Sequence, residues 1–267
     1  SYPIIRFCWL AISVVLITAF TAQAVTVVDP NLWQFGDIDG QSNISITVTD
    51  ANNVQVTFGL KGGWGQIDGN DPNFAQINLY PTTEKTVFSI KTTSGKQTSV
   101  GNITVAGSLA SIQAKTTDLR GDITINGSIG KIELDDIDRD HTITIGLSAN
   151  SAAGVLLKFD EVNDLTIDSD TPIKILMCTQ WLDNDANEDQ IIAPSLGNLQ
   201  VRGDTKRGIP GDFEASLLLN GSDGKQATLT NAKIAGDVNN HPWDITGDIR
   251  TLQAGVGVTA ALLLTET

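Results

Sequence analysis

The sequence is poor in cysteine, in histidine and in positive charge. Of its 267 residues, two are cysteine (Cys8 and Cys178) and two are histidine (His141 and His241). A disulfide framework and histidine-based zinc or catalytic sites therefore have almost no residues from which to be built. Lysine and arginine number 17 against 31 aspartate and glutamate residues, which gives a formal net charge of −14. Because this charge repels phosphate backbones, we expect no nucleic-acid partner.

The short motifs of common enzymes are also missing. The chain contains no G-x-S-x-G elbow, no H-E-x-x-H pair and no P-loop. Acid pairs such as Asp136 and Asp138 would lie about 6 to 7 Å apart on a strand, which suits cleavage of a glycosidic bond. A chain this acidic produces such pairs by chance, so the sequence predicts a protein without catalysis.

The first 24 residues have the pattern of a secretion signal. Arg6 precedes an apolar run from Phe7 to Phe20, and Ala22, Gln23 and Ala24 form the small-x-small site that signal peptidase requires. The alternative is a membrane anchor, but the run is shorter than the roughly 20 residues that cross a bilayer. We therefore expect a signal peptide at residues 1–24, no stable membrane span after its cleavage, and a secreted or cell-surface location.

An internal repeat begins near residue 99. "GNITVAGSLASIQA" starts at residue 101 and "GDITINGSIGKIEL" starts at residue 121. Equivalent positions therefore recur at a fixed interval of about 20 residues. A third copy, after the same interval, places Ile143, Thr144 and Ile145 in the same columns, and looser copies reach residue 255. Apolar residues alternate inside each copy, which is the period of a strand with one buried face.

A unit of this size cannot bury its own apolar face, so we expect the copies to stack. The predicted fold is all-β, a right-handed parallel β-helix of about 20 residues per coil over residues 99–267, where the chain is expected to be truncated. A β-sandwich is the alternative, but it does not require matching residues at a fixed interval. Residues 25–98 contain much of the chain's aromatic content and predict either a β-rich N-terminal cap or a small β-sandwich-like domain.

Acid-rich loops are the strongest local feature. "WLDNDANEDQ" places Asp183, Asp185 and Asn187 at alternate positions, like the oxygen ligands of a calcium loop. Glu188 and Pro194 stand where an EF-hand needs glycine and glutamate, so the choice lies between a looser calcium site and a solvated loop. "LDDIDRDH", with Asp135, Asp136 and Asp138, is a weaker candidate.

Two tryptophans are candidates for contact with a sugar. Trp181 and Trp243 lie beside turns of the repeat and are possible stacking platforms for carbohydrate. Aromatic cover at a turn or at the edge of the core is the alternative for both residues.

Three segments, residues 100–146, 171–213 and 231–258, resemble the large secreted bacterial repeat proteins of the planctomycete type. The segment "GSIGKIEL" at residues 127–134 is similar to the start of their G-S-I-G-x-I-x-V-x-G-D repeat, with Leu134 in place of valine. The resemblance implies a right-handed parallel β-helix at the cell surface or outside the cell, and it implies no catalytic residues. We therefore expect a structural or adhesive module whose partner is an extracellular glycan or surface protein. The alternative is a β-helix that binds or cleaves carbohydrate.

Overall fold

The computed structural model describes residues 31–147, 154–221, 227–239, 241–255, 257 and 262–265. Strands and single bridges make up 57% of these described residues. In these ranges the only helical element is a short 3-10 turn at Thr93–Gly95, and no helix is long and apolar enough to cross a membrane. The expected signal peptide lies outside the described residues.

The strands form a parallel β-solenoid of about seven coils, as the repeat predicts. Each coil crosses three faces in turn. The first face holds β5 (Gln76–Tyr80), β8 (Asn102–Val105), β11 (Ile123–Ile125), β13 (His141–Ile145), β16 (Leu165–Ser169), β19 (Gln190–Ala193), β21 (Ser216–Leu219), β23 (Trp243–Thr246) and β25 (Leu262–Thr265).

The second face follows the first in every coil. It holds β6 (Val87–Thr92), β9 (Leu109–Gln113), β12 (Ile129–Glu133), β14 (Val155–Lys158), β17 (Ile173–Cys178), β20 (Leu196–Val201), β22 (Leu229–Ile234) and β24 (Leu252–Ala254). The third face is narrower. It consists of β7 (Thr98–Val100), β10 (Thr117–Leu119), β15 (Glu161–Asn163), β18 (Gln180–Leu182) and single bridges at Ile137, Phe213 and Val238.

Coil length varies along the chain. Ile123 pairs with Ile103 in the preceding coil and with Ile143 in the following one, which is the interval that the sequence predicts. Leu217 instead pairs with Ile191 and Trp243, which lie farther from it along the chain on both sides. The average is about 23 residues per coil. The additional residues lie in the corner loops, because the strands of successive coils must stay in register for their backbone hydrogen bonds to form.

Each face contributes a column of buried side chains, which together form one continuous core. The first-face column is Ile77, Ile103, Ile123, Ile143, Ile167, Ile191, Leu217 and Trp243. The third-face column is Val100, Leu119, Ile137, Val162, Trp181, Phe213 and Val238. Apolar burial inside the stack, rather than any disulfide, therefore stabilises the coils. Cys178 is 1% exposed, in keeping with a small buried side chain.

The N-terminal strands form a β-rich region that extends two sheets of the solenoid by antiparallel pairing. They are β1 (Leu32–Ile38), β2 (Gln41–Thr49), β3 (Gln55–Lys61) and β4 (Trp64–Asp68). The last of these pairs antiparallel with β5, and β3 pairs antiparallel with β6, so both sheets extend past the first coil. Phe35, Phe58 and Phe88 are 0% exposed and fill the end of the core. Whether residues 25–98 fold as a separate domain stays a prediction.

The outward column Asn102, Asp122 and Thr142 links successive coils. The Asp122 backbone N–H donates to Asn102 Oδ1 at 2.8 Å, and the Thr142 backbone N–H donates to Asp122 Oδ1 at 2.9 Å. Each side chain therefore satisfies a backbone donor of the following coil, which supports the stack at the edge of the first face.

Candidate functional site

Acidic residues gather at the two corners that flank the third face. We call the corner where the chain passes from the second to the third face the entry corner, and the corner where it passes on to the first face the exit corner. Asp135, Asp136 and Asp160 meet at the entry corner. At the exit corner the acids come from the loops that follow β15 and β18.

Three carboxylates converge at the exit corner: Asp164, Asp183 and Asp189, which we call the exit triad. One oxygen from each residue lies within 4.8 Å of the others. Asp164 lies between β15 and β16, whereas Asp183 follows β18 in the next coil and Asp189 precedes β19. The triad therefore joins two successive coils, because stacking places equivalent corners above one another.

The exit triad is largely removed from solvent. The residue Asp189 is 3% exposed, and 8% of the Asp183 side chain is exposed. Trp181 Nε1 donates to Asp189 Oδ2 at 2.7 Å, whereas Asp183 Oδ1 is buried without a hydrogen-bond partner. Burial raises the pKa of Asp189 to about 7, and the charges of Asp183 and Asp164 act in the same direction. The cluster thus holds more negative charge than its own donors compensate.

Residues from later coils surround the triad. Glu214 Oε2 accepts a hydrogen bond from the Asp183 backbone N–H at 3.2 Å, and Glu214 Oε1 accepts one from Asn239 Nδ2 at 3.0 Å. His241 Nε2 lies 3.7 Å from Asp183 Oδ2. In the described part of the chain no lysine or arginine forms an ion pair with the triad.

The structure divides the calcium-loop residues that the sequence singled out. Asp183 belongs to the exit triad. Asp185 and Asn187 are exposed and lie outside it: Asp185 Oδ1 accepts the Asn187 backbone N–H at 2.6 Å, and Asn187 Nδ2 donates to Asp140 Oδ2 at 2.7 Å. Asp185 thus caps a turn of the loop. The alternate spacing in the sequence identified one member of the cluster and missed Asp164 and Asp189.

Trp181 and Trp243 lie in the core, which corrects the sugar-stacking interpretation. Their exposed fractions are 0% and 1%, and Phe213 lies between them with ring centroids at 5.9 and 6.0 Å. Neither tryptophan presents a ring face to a ligand. Trp181 instead extends the third-face column, between Val162 and Phe213.

At the entry corner an arginine compensates part of the charge. Arg207 donates to both Asp160 oxygens, at 2.6 and 2.8 Å, and also contacts Glu161 and Asp204. Burial alone would raise the pKa of Asp160, but the hydrogen bonds from Arg207 and Thr179 lower it. Arg207 belongs to the loop that follows β20, so only the folded coils bring it to these acids.

The proposed carboxylate pair Asp136 and Asp138 also lies along the third face. Asp136 Oδ1 accepts the Glu161 backbone N–H at 3.0 Å, and Asp138 Oδ1 accepts from Asn163 Nδ2 at 3.3 Å. Both side chains therefore bond to the next coil. The residue between them, Ile137, is 0% exposed and belongs to the core.

Asp118 faces the same entry corner and forms no ion pair within the described part of the chain. Its Oδ1 is buried without a partner. Burial raises the pKa of Asp118 to about 6, and the negative charges of Asp136 and Asp135 also raise this pKa. The hydrogen bond from the Asp136 backbone N–H and the charge of Arg120 lower the pKa, but by less. The ionised carboxylate therefore destabilises the folded state.

We predict that Asp118→Asn stabilises the protein at pH 8 and has little effect at pH 4. Because the folded pKa lies above the ordinary value of 3.8, the destabilisation is absent below about pH 4 and complete above about pH 7. After allowance for partial exposure, the expected gain at pH 8 is about 1 to 2 kcal/mol. Urea denaturation at both pH values measures it, with the exposed Asp168→Asn as control. An equal effect at both pH values would contradict the prediction.

Comparisons with protein-family models, with curated proteins and with solved structures return no match. Membership of the planctomycete-type repeat proteins therefore stays a prediction from the residues that carry the resemblance.

Proposed function

We propose that the protein is a secreted or cell-surface structural module, of adhesive type, that acts without catalysis and resembles the planctomycete-type repeat proteins. The supporting observation is the unbroken register of the first-face column from Ile77 to Trp243. A stack of this kind grows in one dimension and presents long lateral faces. Seven coils at the usual strand spacing rise about 34 Å.

The apolar and charged residues are distributed in a way that supports a structural role. The core columns and the outward Asn102 and Asp122 ladder both join one coil to the next. The predicted signal at residues 1–24 and the scarcity of cysteine fit a secreted chain that is held together by stacking. Catalytic residues are not needed for such a role.

Binding of an acidic glycan is a second candidate, because one groove on the second face is basic. It has a volume of about 390 Å³ and is lined by Gln200, Val201, Arg202, Lys233 and Ala235. The side chains of Arg202 and Lys233 are positively charged, although the chain as a whole has a net charge of −14. They would attract the carboxylate or sulfate groups of an acidic glycan. This groove replaces Trp181 and Trp243 as the candidate sugar contact.

Incubation of the purified protein with acidic and neutral polysaccharides tests both candidates. The structural role predicts that neither reducing nor unsaturated ends are released, and release of either would overturn it. Retention of acidic glycans that is lost in Lys233→Ala would support the groove. Retention unchanged by that substitution would exclude the groove as the binding site.

The proposed location has its own test. After expression of the whole chain in a Gram-negative bacterium, we expect an exported product whose N-terminal residue is Val25. An unprocessed chain that stays in the cytoplasm would contradict secretion.

A further inference from the structure

The exit triad combines two independent features of a cation site. The first is convergence: oxygens of Asp164, Asp183 and Asp189 lie within 4.8 Å of one another, although they belong to two coils. The second is an unsatisfied acceptor. The Asp183 side chain is 92% buried, since 8% of it is exposed, and its Oδ1 has no hydrogen-bond donor. A buried carboxylate oxygen without a partner costs free energy that a ligand would recover.

No lysine or arginine in the described part of the chain supplies the missing positive charge. His241 is the nearest basic group, and its Nε2 lies 3.7 Å from Asp183 Oδ2, beyond hydrogen-bond distance. Arg207 lies at the other corner, where it is engaged by Asp160, Glu161 and Asp204. Three carboxylates that repel one another are therefore held in place by neutral donors: the backbone N–H of Asn184 to Asp164, that of Asp189 to Asp183, and the indole of Trp181 to Asp189.

We propose that the exit triad binds a calcium ion that ties two successive coils together. Calcium–oxygen distances are about 2.3 to 2.6 Å, so two ligands of one ion lie at most about 5 Å apart. The separations in the triad fit this limit. All the convergent side-chain atoms are carboxylate oxygens. Such oxygens suit hard cations, whereas zinc and copper favour nitrogen and sulfur ligands.

Calcium suits this position better than magnesium. Asp164 is half-buried, which leaves room on its side for water ligands to complete a shell of six to eight oxygens. Magnesium demands a near-ideal octahedron and gives up its water reluctantly, whereas calcium accepts the variable geometry of carboxylates that come from two corner loops. The site does not depend on the proposed structural function, although it would stabilise the coils where calcium is abundant, outside the cell.

Thermal unfolding and titration calorimetry of the whole chain test this inference. After treatment with EGTA, in buffer with excess Mg²⁺, we expect Ca²⁺ to bind with a stoichiometry of about one. At a Ca²⁺ concentration about 100-fold above Kd, Tm should rise by about 5 to 10 °C. The Asp183→Asn variant should lose this shift. Without Ca²⁺ its Tm should equal or exceed that of the native chain, because one repelling charge is removed.

Asp185→Asn is the matched control, since it removes an equal charge from the same loop outside the triad. It should keep the full Ca²⁺ response. Absence of binding to the native chain, or a response that Asp183→Asn leaves unchanged, would overturn the proposal. The proposal would also be overturned if the Asp185→Asn variant lost the Ca²⁺-dependent rise in Tm while the Asp183→Asn variant kept it. If Asp183→Asn does not fold, Asp164→Asn takes its place with the same expected outcome.

Discussion

Replacing Phe213 by alanine is expected to lower the free energy of unfolding by about 3 to 5 kcal/mol. The Phe213 ring is 0% exposed and makes edge-on contacts with Trp181 and Trp243. It therefore joins the third-face column to the first-face column inside the longest coils. At this level the third face is a single bridge rather than a strand, in which Phe213 pairs with Trp181 of one neighbouring coil and Val238 of the other.

Equilibrium urea denaturation measures the effect of Phe213→Ala. The Phe213→Leu variant should cost less than half as much, because most of the buried volume is kept. Leu147→Ala is the surface control: Leu147 is 71% exposed, so its truncation should change stability by less than about 0.5 kcal/mol. A cost below about 1 kcal/mol for Phe213→Ala would show that this aromatic stack is not part of the core.

Replacing Gly121 by alanine is expected to cost about 3 kcal/mol, a large effect for one methyl group. A Cβ at Gly121 would lie 2.5 Å from the carbonyl carbon of Gly101 and 2.6 Å from the backbone nitrogen of Asn102. Both contacts are backbone atoms of the preceding coil, so they cannot move aside without separating the coils. The repeated glycine is therefore required by the close approach of one coil to the next.

Gly257→Ala is the matched control for Gly121→Ala. At Gly257 the nearest atom to an added Cβ is Asp237 Oδ1 at 3.4 Å, which is ordinary contact. This substitution should leave stability unchanged or raise it by up to about 1 kcal/mol through the lower entropy of the unfolded chain. Equal effects of the two substitutions would argue against close stacking at Gly121.

The repeat predicted the fold because the shortest coils keep one constant number of residues per coil, which makes the repeat visible in the sequence. Ile103, Ile123 and Ile143 recur at one constant interval in the sequence, and the structure pairs them in register as expected. Beyond Ile143 the coils gain corner residues, so the fixed interval in the sequence is lost although the columns continue. The sequence left Trp181 open between a sugar contact and cover at the edge of the core for this reason: its place in the column of Val162 and Phe213 becomes visible only when the strands are aligned by face.

The candidate site was only partly predictable. Asp183 stood out because its segment is acidic, but its partner Asp164 belongs to the preceding coil and lies in a segment with no calcium-loop spacing. Asp189 was within the quoted segment, yet its burial beside the indole of Trp181 depends on the position of that residue in the core, which the sequence left open. Contacts between coils depend on register, and register in the irregular coils could not be read from the sequence.

The distance between spin labels at positions 124 and 244 tests the stacked coils most directly. Thr124 and Asp244 belong to one outward column on the first face, separated by five coil intervals through Thr144, Asp168, Ile192 and Leu218. With Cys8 and Cys178 replaced by alanine, double electron–electron resonance should give a single narrow distribution near 24 Å, about five strand spacings. A broad distribution, or one centred beyond about 35 Å, seven such spacings, would contradict the solenoid register.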